Sequence, residues 1–135
     1  MKARELMIGD WVYCKPHKKN GRVYRLDEAN GNGNGWIAVI DGDFYEDRIE
    51  PIMITEEILE KNGFIGKGYA IFKIDNHSFL EYYYHEHRFR KVWVGVDEWQ
   101  NHSEVRDITF QCNCYYVHEL QHALRLCGFD KEIIL

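Results

Sequence analysis

Two short stretches of this chain carry complete helix punctuation, and they bound what it can fold into. Leu59-Glu60-Lys61-Asn62-Gly63-Phe64 and Leu124-Arg125-Leu126-Cys127-Gly128-Phe129 share the pattern Leu-x-x-x-Gly-Phe. A glycine at that point can take the left-handed conformation that closes a helix, and the phenylalanine after it folds back onto the leucine. Ahead of the first stop, Thr55 is a capping residue and Glu56 and Glu57 fall in the dipole-favoured first turn. Ile54 and Leu59 have the spacing of a hydrophobic staple. Ahead of the second stop, Asn113 is the candidate cap of a helix from about Cys114 to Cys127. The repeat is shared stop chemistry, not a duplicated domain.

The remainder reads as strands. Trp11-Val12-Tyr13 follows a Gly-Asp turn, and Lys18-Lys19-Asn20-Gly21 ends in an Asn-Gly pair, which predicts a hairpin turn there. Arg22-Val23-Tyr24-Arg25-Leu26 alternates polar and apolar residues, and Trp36 to Ile40 is a further strand. Asp41-Gly42-Asp43 turns the chain into Phe44-Tyr45. Gly31-Asn32-Gly33-Asn34-Gly35 connects strands; a phosphate loop would need a helix after it, and Trp-Ile-Ala-Val-Ile is not one. Four more strands are expected within residues 68–112, with a turn at Asp75–Ser78 and an irregular polar loop from Glu98 to Val105. Ile133-Ile134-Leu135 is an apolar tail expected to dock as a short strand or to pack on the core. The expected architecture is α+β. An SH3-like small β-barrel or curved sheet over 1–53 leads through a short helix to an antiparallel β-meander closed by a C-terminal helix, together 54–135. Val117, Leu120 and Leu124 should be buried.

Composition narrows the function classes. The 135 residues are 45% hydrophobic and 15% aromatic, enough for a real core. A net charge of −5 argues against a generic DNA coat. No apolar run approaches the roughly 20 residues of a membrane span, and Met1-Lys2-Ala3-Arg4-Glu5 is not the start of a secretion signal. A cytoplasmic protein with no membrane partner is therefore expected. In that compartment Cys14, Cys112, Cys114 and Cys127 are expected as thiols. Cys112-x-Cys114 on a strand would share one face, either as part of a metal pair with a histidine or as small half-buried hydrophobes; the second reading is preferred.

The sharpest chemical signal is His118-Glu119-Leu120-Gln121-His122, an H-E-x-x-H. On a helix, His118 and His122 could grip one Zn²⁺ while Glu119 activates its water, which would make the protein a zinc-dependent hydrolase. Against this, Arg125 and Gly128 stand where the longer metzincin pattern wants glycine and histidine. The acids after His122 are only Asp130 and Glu132. The helical wheel also places Val117, Leu120, Leu124 and Cys127 on one side and turns both histidines toward the polar side. The preferred reading is thus a solvated helix face, with no metal, no zinc and no catalytic residue.

Basic residues form the other candidate site. Lys2, Arg4, Lys15, Lys18, Lys19, Arg22 and Arg25 crowd the first 25 positions, while residues 27–60 are dominated by acids. Farther on, Arg88, Arg90, Lys91 and Trp93 follow Tyr82-Tyr83-Tyr84 and His85-Glu86-His87. Aromatics stack on bases while Arg and Lys hold phosphates, so Lys15, Lys18, Lys19, Arg22, Arg88, Arg90, Lys91 and Trp93 are the candidate set for a nucleic-acid accessory protein. On a strand, His85 and His87 would also share a face and could chelate. The plainer reading, an aromatic core face and a solvated basic face, is preferred.

Three segments resemble one family. They are Glu5-Leu6-Met7-Ile8-Gly9-Asp10-Trp11-Val12, the run from Ile49 to Phe64, and Tyr116-Val117-His118-Glu119-Leu120-Gln121-His122. The chain is similar, through these, to a group of small uncharacterised proteins encoded in prophages and mobile elements of gut Bacteroidetes, a family without an assigned activity. The resemblance implies Tyr-Val-His-x-Leu-Gln at the last helix, often with Gln in place of Glu119 and Asn in place of His122, which makes a zinc grip incidental. The leading expectation is a non-enzymatic binding or adaptor protein of a phage or mobile element. Its partner would be an unidentified protein or peptide, met through a sheet edge or an aromatic surface.

Overall fold

A computed structural model describes residues 1–27, 35–39, 42–97 and 103–135, and it shows an α+β protein with antiparallel sheets of five and four strands. Residues 28–34, which include most of the glycine-rich stretch, residues 40 and 41, and residues 98–102 lie outside the described residues; of the expected Asp41–Asp43 turn, Gly42 and Asp43 belong to a strand. No helix among the described residues is long and apolar enough to cross a membrane. The chain divides into two units, Met1–Met53 with Tyr116–Gln121, and Ile54–Tyr115 with His122–Leu135.

In the first unit, β1 (Trp11–Cys14), β2 (Lys19–Asp27), β3 (Trp36–Val39), β4 (Gly42–Tyr45) and β5 (Ile49–Glu50) pair in the order β4-β3-β2-β1-β5. A bulge between Val23 and Arg25 bends β2, so that it pairs with β1 at one end and β3 at the other. A single 3₁₀ turn, Glu46–Arg48, carries the chain from β4 into β5, which returns to pair with β1. This is the strand order of an SH3-like curled sheet. Its concave side holds Ala3, Leu6, Val12, Cys14, Val23, Ile37, Val39, Phe44 and Ile49, all buried.

The Asn20-Gly21 pair is not the hairpin turn. Pro16 starts a 3₁₀ turn over Lys15–His17, and Lys18 closes it in the left-handed conformation at φ 51°. Asn20 and Gly21 therefore sit inside β2, opposite Tyr13 and Val12. Gly21 serves packing instead: a Cβ there would lie 3.3 Å from the Val39 Cβ and 3.4 Å from the Cys14 sulfur.

In the second unit, α1 (Glu56–Lys61) is capped as its sequence predicts, with Ile58 N–H donating to Thr55 Oγ1 at 3.2 Å. Gly63 takes φ 89°, and Phe64 N–H donates back to the Leu59 carbonyl at 3.0 Å. A meander follows: β6 (Tyr69–Lys73), β7 (Ser78–Tyr83), β8 (Arg88–Asp97) and β9 (Ser103–Asn113), paired in sequence order. Ala70, Leu80, Tyr82 and Phe89 point to one side of this sheet and are fully buried. The expected irregular loop does not extend over Ser103 to Val105, which belong to β9.

The last helix, α2, runs Val117–Leu126 and starts later than Cys114. Tertiary bonds hold the preceding residues extended: Cys114 N–H donates to the His87 carbonyl at 2.7 Å, and Tyr82 Oη donates to the Cys114 carbonyl at 2.6 Å. Gly128, at φ 76°, ends α2, with Phe129 N–H donating to the Leu124 carbonyl at 2.9 Å. Val117, Leu120 and Leu124 are buried. The apolar tail docks without forming a strand. The Asn62 side chain accepts from Ile134 N–H and donates to its carbonyl, both at 2.7 Å, and Ile133 is buried.

Candidate functional site

The H-E-x-x-H residues have structural partners of their own. Tyr116 is the residue before α2, and its N–H donates to Glu119 Oε1 at 3.0 Å. Glu119 stands third in the helix, so this is the reciprocal half of a capping box. The carboxylate that a hydrolase would aim at water is here closing a helix end. His118 does not face solvent as the wheel predicts. It is only 5% exposed and stacks on the Tyr116 ring, centroids 5.8 Å apart and planes at 9°. A wheel knows only the helix's own apolar stripe and cannot register a tertiary cover over the opposite side. His122 is half-buried. Among the described residues, no group of three or more His, Cys, Asp or Glu side chains could hold a metal ion.

The neighbouring Gln121 carries the clearest role in this helix. Its Oε1 accepts from Trp11 N–H at 2.8 Å, and its Nε2 donates to the Gly9 carbonyl at 3.0 Å. It thereby pairs the chain on either side of Asp10, within the Gly9-Asp10-Trp11 segment. Asp10 is fully buried and its Oδ2 accepts from Met7 N–H at 2.8 Å. The loop before β1 and the helix α2 thus meet through one amide.

The candidate nucleic-acid residues are divided between the two units. Lys15, Lys18, Lys19 and Arg22 belong to the first unit, and Arg88, Arg90, Lys91 and Trp93 to the second. Lys15 pairs with Glu50 at 3.2 Å, and Arg22 Nε donates to the Gly9 carbonyl at 3.1 Å while its guanidinium lies over Trp11. The period of two separates the second group. Arg88 and Arg90 lie beside Tyr83 on the outer face of the sheet, their guanidinium carbons 5.8 and 5.2 Å from its ring centre. Lys91 and Trp93 occupy the opposite face, where Lys91 Nζ donates to the Cys127 carbonyl at the end of α2 at 3.0 Å and Trp93 stacks on His77. His85 and His87 are not on a strand. They lie in the turn 84–87, where His87 takes φ 49° and stacks on Tyr115.

The outer face also holds a cluster that the sequence reading missed. Glu81 on β7 is fully buried. Tyr69 Oη donates to its Oε1 at 2.5 Å, Tyr83 Oη donates to its Oε2 at 3.3 Å, and Arg106 from β9 pairs with Oε1. Burial, reinforced by the Glu81 bond, pushes the Tyr69 phenol up to about 12. Tyr69 and Arg106 reach Glu81 from 12 and 25 positions away. The signal for them was present but weak: a lone acid inside Phe-Leu-Glu-Tyr-Tyr-Tyr, with tyrosine and arginine on neighbouring strands.

Beyond this cluster the outer face turns aliphatic. Val94 and Val96 on β8 lie on the same side as Ile108 on β9, with Val96 57% and Ile108 48% exposed. Among the described residues β9 pairs with β8 alone, which leaves one long side of an eleven-residue strand open. The other outer strand of this sheet, β6, is shielded at Ile71 by a two-bond bridge with Ile65. An open edge beside exposed aliphatic side chains is a template for an added strand.

No protein-family model, curated protein or solved structure matches the chain.

Proposed function

We propose that the protein is a non-catalytic binding protein of a phage or mobile element, and that it takes an extended peptide segment of a partner protein along the open side of β9. The mobile-element part rests on the family resemblance. The binding mode rests on one observation: among the described residues β9 pairs with β8 alone, beside the half-buried Val94 and the exposed Val96 and Ile108. Such an edge supplies affinity through main-chain hydrogen bonds, and the alternating side chains supply selectivity. Glu119 as a capping residue and the stacked His118 support a non-catalytic reading.

Selection of displayed random peptides against the full-length protein tests this. Extended peptides with apolar residues at alternate positions are expected. Ile108→Lys puts a charge on the edge and should weaken the selected peptide by at least about tenfold, without lowering the melting temperature. A peptide that binds Ile108→Lys as tightly as the parent overturns the edge assignment.

A second reading has its own observation, the guanidinium groups of Arg88 and Arg90 over Tyr83 on the same face. It assigns this corner to single-stranded nucleic acid. Salt-dependent retention of an oligonucleotide that is lost in Arg90→Gln, with no peptide selected, favours this reading over the first. Arg88 pairs with Glu86 and Arg106 with Glu81, which lowers the positive charge left for phosphates.

A further inference from the structure

At the end of β9 two thiols meet. The sulfurs of Cys112 and Cys114 are 3.6 Å apart, and neither residue is in a disulfide. Cys112 is half-buried, whereas Cys114 is fully buried. The backbone of Cys114 is fixed on both sides, by the His87 carbonyl and by the Tyr82 hydroxyl. The two sulfurs are therefore held against each other by the fold.

We propose that Cys112 and Cys114 are a redox-active vicinal dithiol that a peroxide converts to a disulfide. Cys112 is the more accessible sulfur and attacks first. Its thiol ionises, and the thiolate takes one oxygen of hydrogen peroxide as the O–O bond breaks, giving a sulfenic acid at Cys112 and a hydroxide that the released thiol proton converts to water. The Cys114 thiol then attacks the sulfenic sulfur, its proton leaves with the hydroxide as a second water, and the S–S bond forms. Two thiols lose two electrons and the peroxide gains them. An external thiol or dithiol reverses the step by exchange. Closure needs the sulfurs to approach from 3.6 Å to about 2.05 Å, which rotation of the half-buried Cys112 side chain can supply. In an extended chain, residues two apart have Cα atoms about 6.6 Å apart, near the upper end of what a disulfide spans, so the bond should be readily reduced. Cys127 is not the resolving thiol. Its sulfur donates to the Leu124 carbonyl at 3.4 Å, and burial pushes its thiol up. The site is independent of the peptide reading of β9.

The test uses the full-length reduced protein, equimolar hydrogen peroxide, alkylation and trypsin. Cleavage after Arg106 and Arg125 leaves Cys112 and Cys114 in one peptide, 107–125, with Cys14 and Cys127 in others. The expected product is that peptide, unalkylated and about 2 Da lighter than the dithiol, with both alkylation sites restored by dithiothreitol. A link to Cys127, sulfinic or sulfonic acid as the main product, or two thiols that remain alkylatable overturns the proposal. Cys112→Ser should slow peroxide consumption by at least about tenfold, and an unchanged rate overturns the assignment of the attacking thiol. A Ser at the buried Cys114 position can fail to fold, so the wild-type protein provides the second measurement. Phenylarsine oxide should bind at a ratio of about one per chain and protect both thiols from alkylation; two unprotected thiols again overturn the proposal.

Discussion

Glu81 shows what a single buried charge requires. Removing a carboxylate from water is costly unless hydrogen bonds and an opposite charge replace the solvent. Tyr69, Tyr83 and Arg106 do so here, and Tyr69 makes the shortest of the two phenol bonds. Tyr69→Phe deletes that bond and leaves the ring. It should cost about 1.5–3 kcal/mol, the range for hydrogen bonds to charged groups, read as a lower urea midpoint at unchanged slope. Glu119 gives the complementary case at a half-buried helix end. The Tyr116 N–H needs only an acceptor oxygen from it, so the capping bond alone predicts a change of no more than about 0.5 kcal/mol for Glu119→Gln and a cost of about 0.5–2 kcal/mol for Glu119→Ala. A residue whose charge holds the fold would lose stability as Gln, so the pair of variants separates a capping role from an ion-pairing one by thermal unfolding.

At the scale of elements, the two helices differ in how they are held. α1 has six residues, too few to persist without tertiary support, so its ends matter disproportionately. Gly63 sits at φ 89°, and a Cβ there would meet the Phe72 ring at 2.9 Å. Gly63→Ala should therefore cost at least about 1–2 kcal/mol, the penalty of a left-handed alanine before any clash, checked by equilibrium unfolding. In α2 the decisive group is Leu120, at 0% exposure; Leu120→Ala should cost about 2–5 kcal/mol in the same assay. Both helix stops, the Thr55 cap and the apolar stripe of α2 are legible in the sequence because each is local chemistry within about four residues. The Asn20-Gly21 turn misleads because a competing local signal, Pro16, bends the chain earlier, and the glycine is used for close packing against Val39. The sheet faces follow from the period of two once the strands are placed, and this alone parts Arg88 and Arg90 from Lys91 and Trp93. The burial of His118 and Glu81, the Gln121 amide and the open side of β9 are tertiary facts. They depend on which strand or loop arrives from far along the chain, and no window of sequence contains them.

For the molecule as a whole, the two units should respond to opposite ends of the pH scale. In the first unit, Glu46 is buried, and its Oε1 accepts from Ala3 N–H at 2.7 Å. That bond, helped by Lys2 and opposed by burial, holds its carboxyl below the usual value of 4.5. A depressed carboxyl stabilises the fold above its unfolded pKa, and the contribution disappears as pH falls through the folded one. Asp75 in the second unit is also depressed, by the His77 and Ser78 amides, but it sits in an exposed turn and its loss should loosen only the β6–β7 connection. At the alkaline end the relevant groups are Tyr69 and Tyr84, both in the second unit and both pushed from 10.0 up to about 12, chiefly by burial. The sign is opposite. The folded state keeps the phenol protons while the unfolded chain releases them, so this stability is complete below pH 10 and declines between 10 and about 12. Hydrogen exchange, with labelling times corrected for the intrinsic pH dependence of the amides, distinguishes the units. Below pH 4.5 protection should fall first in the segments of residues 1–50 that contact Glu46, and above pH 10 first in β6 and β7. Glu46→Gln should remove most of the acid response of the first unit while leaving the alkaline response of the second unchanged. Equal loss of protection in both units at each extreme would mean that net charge, not these buried groups, governs the pH limits of the fold.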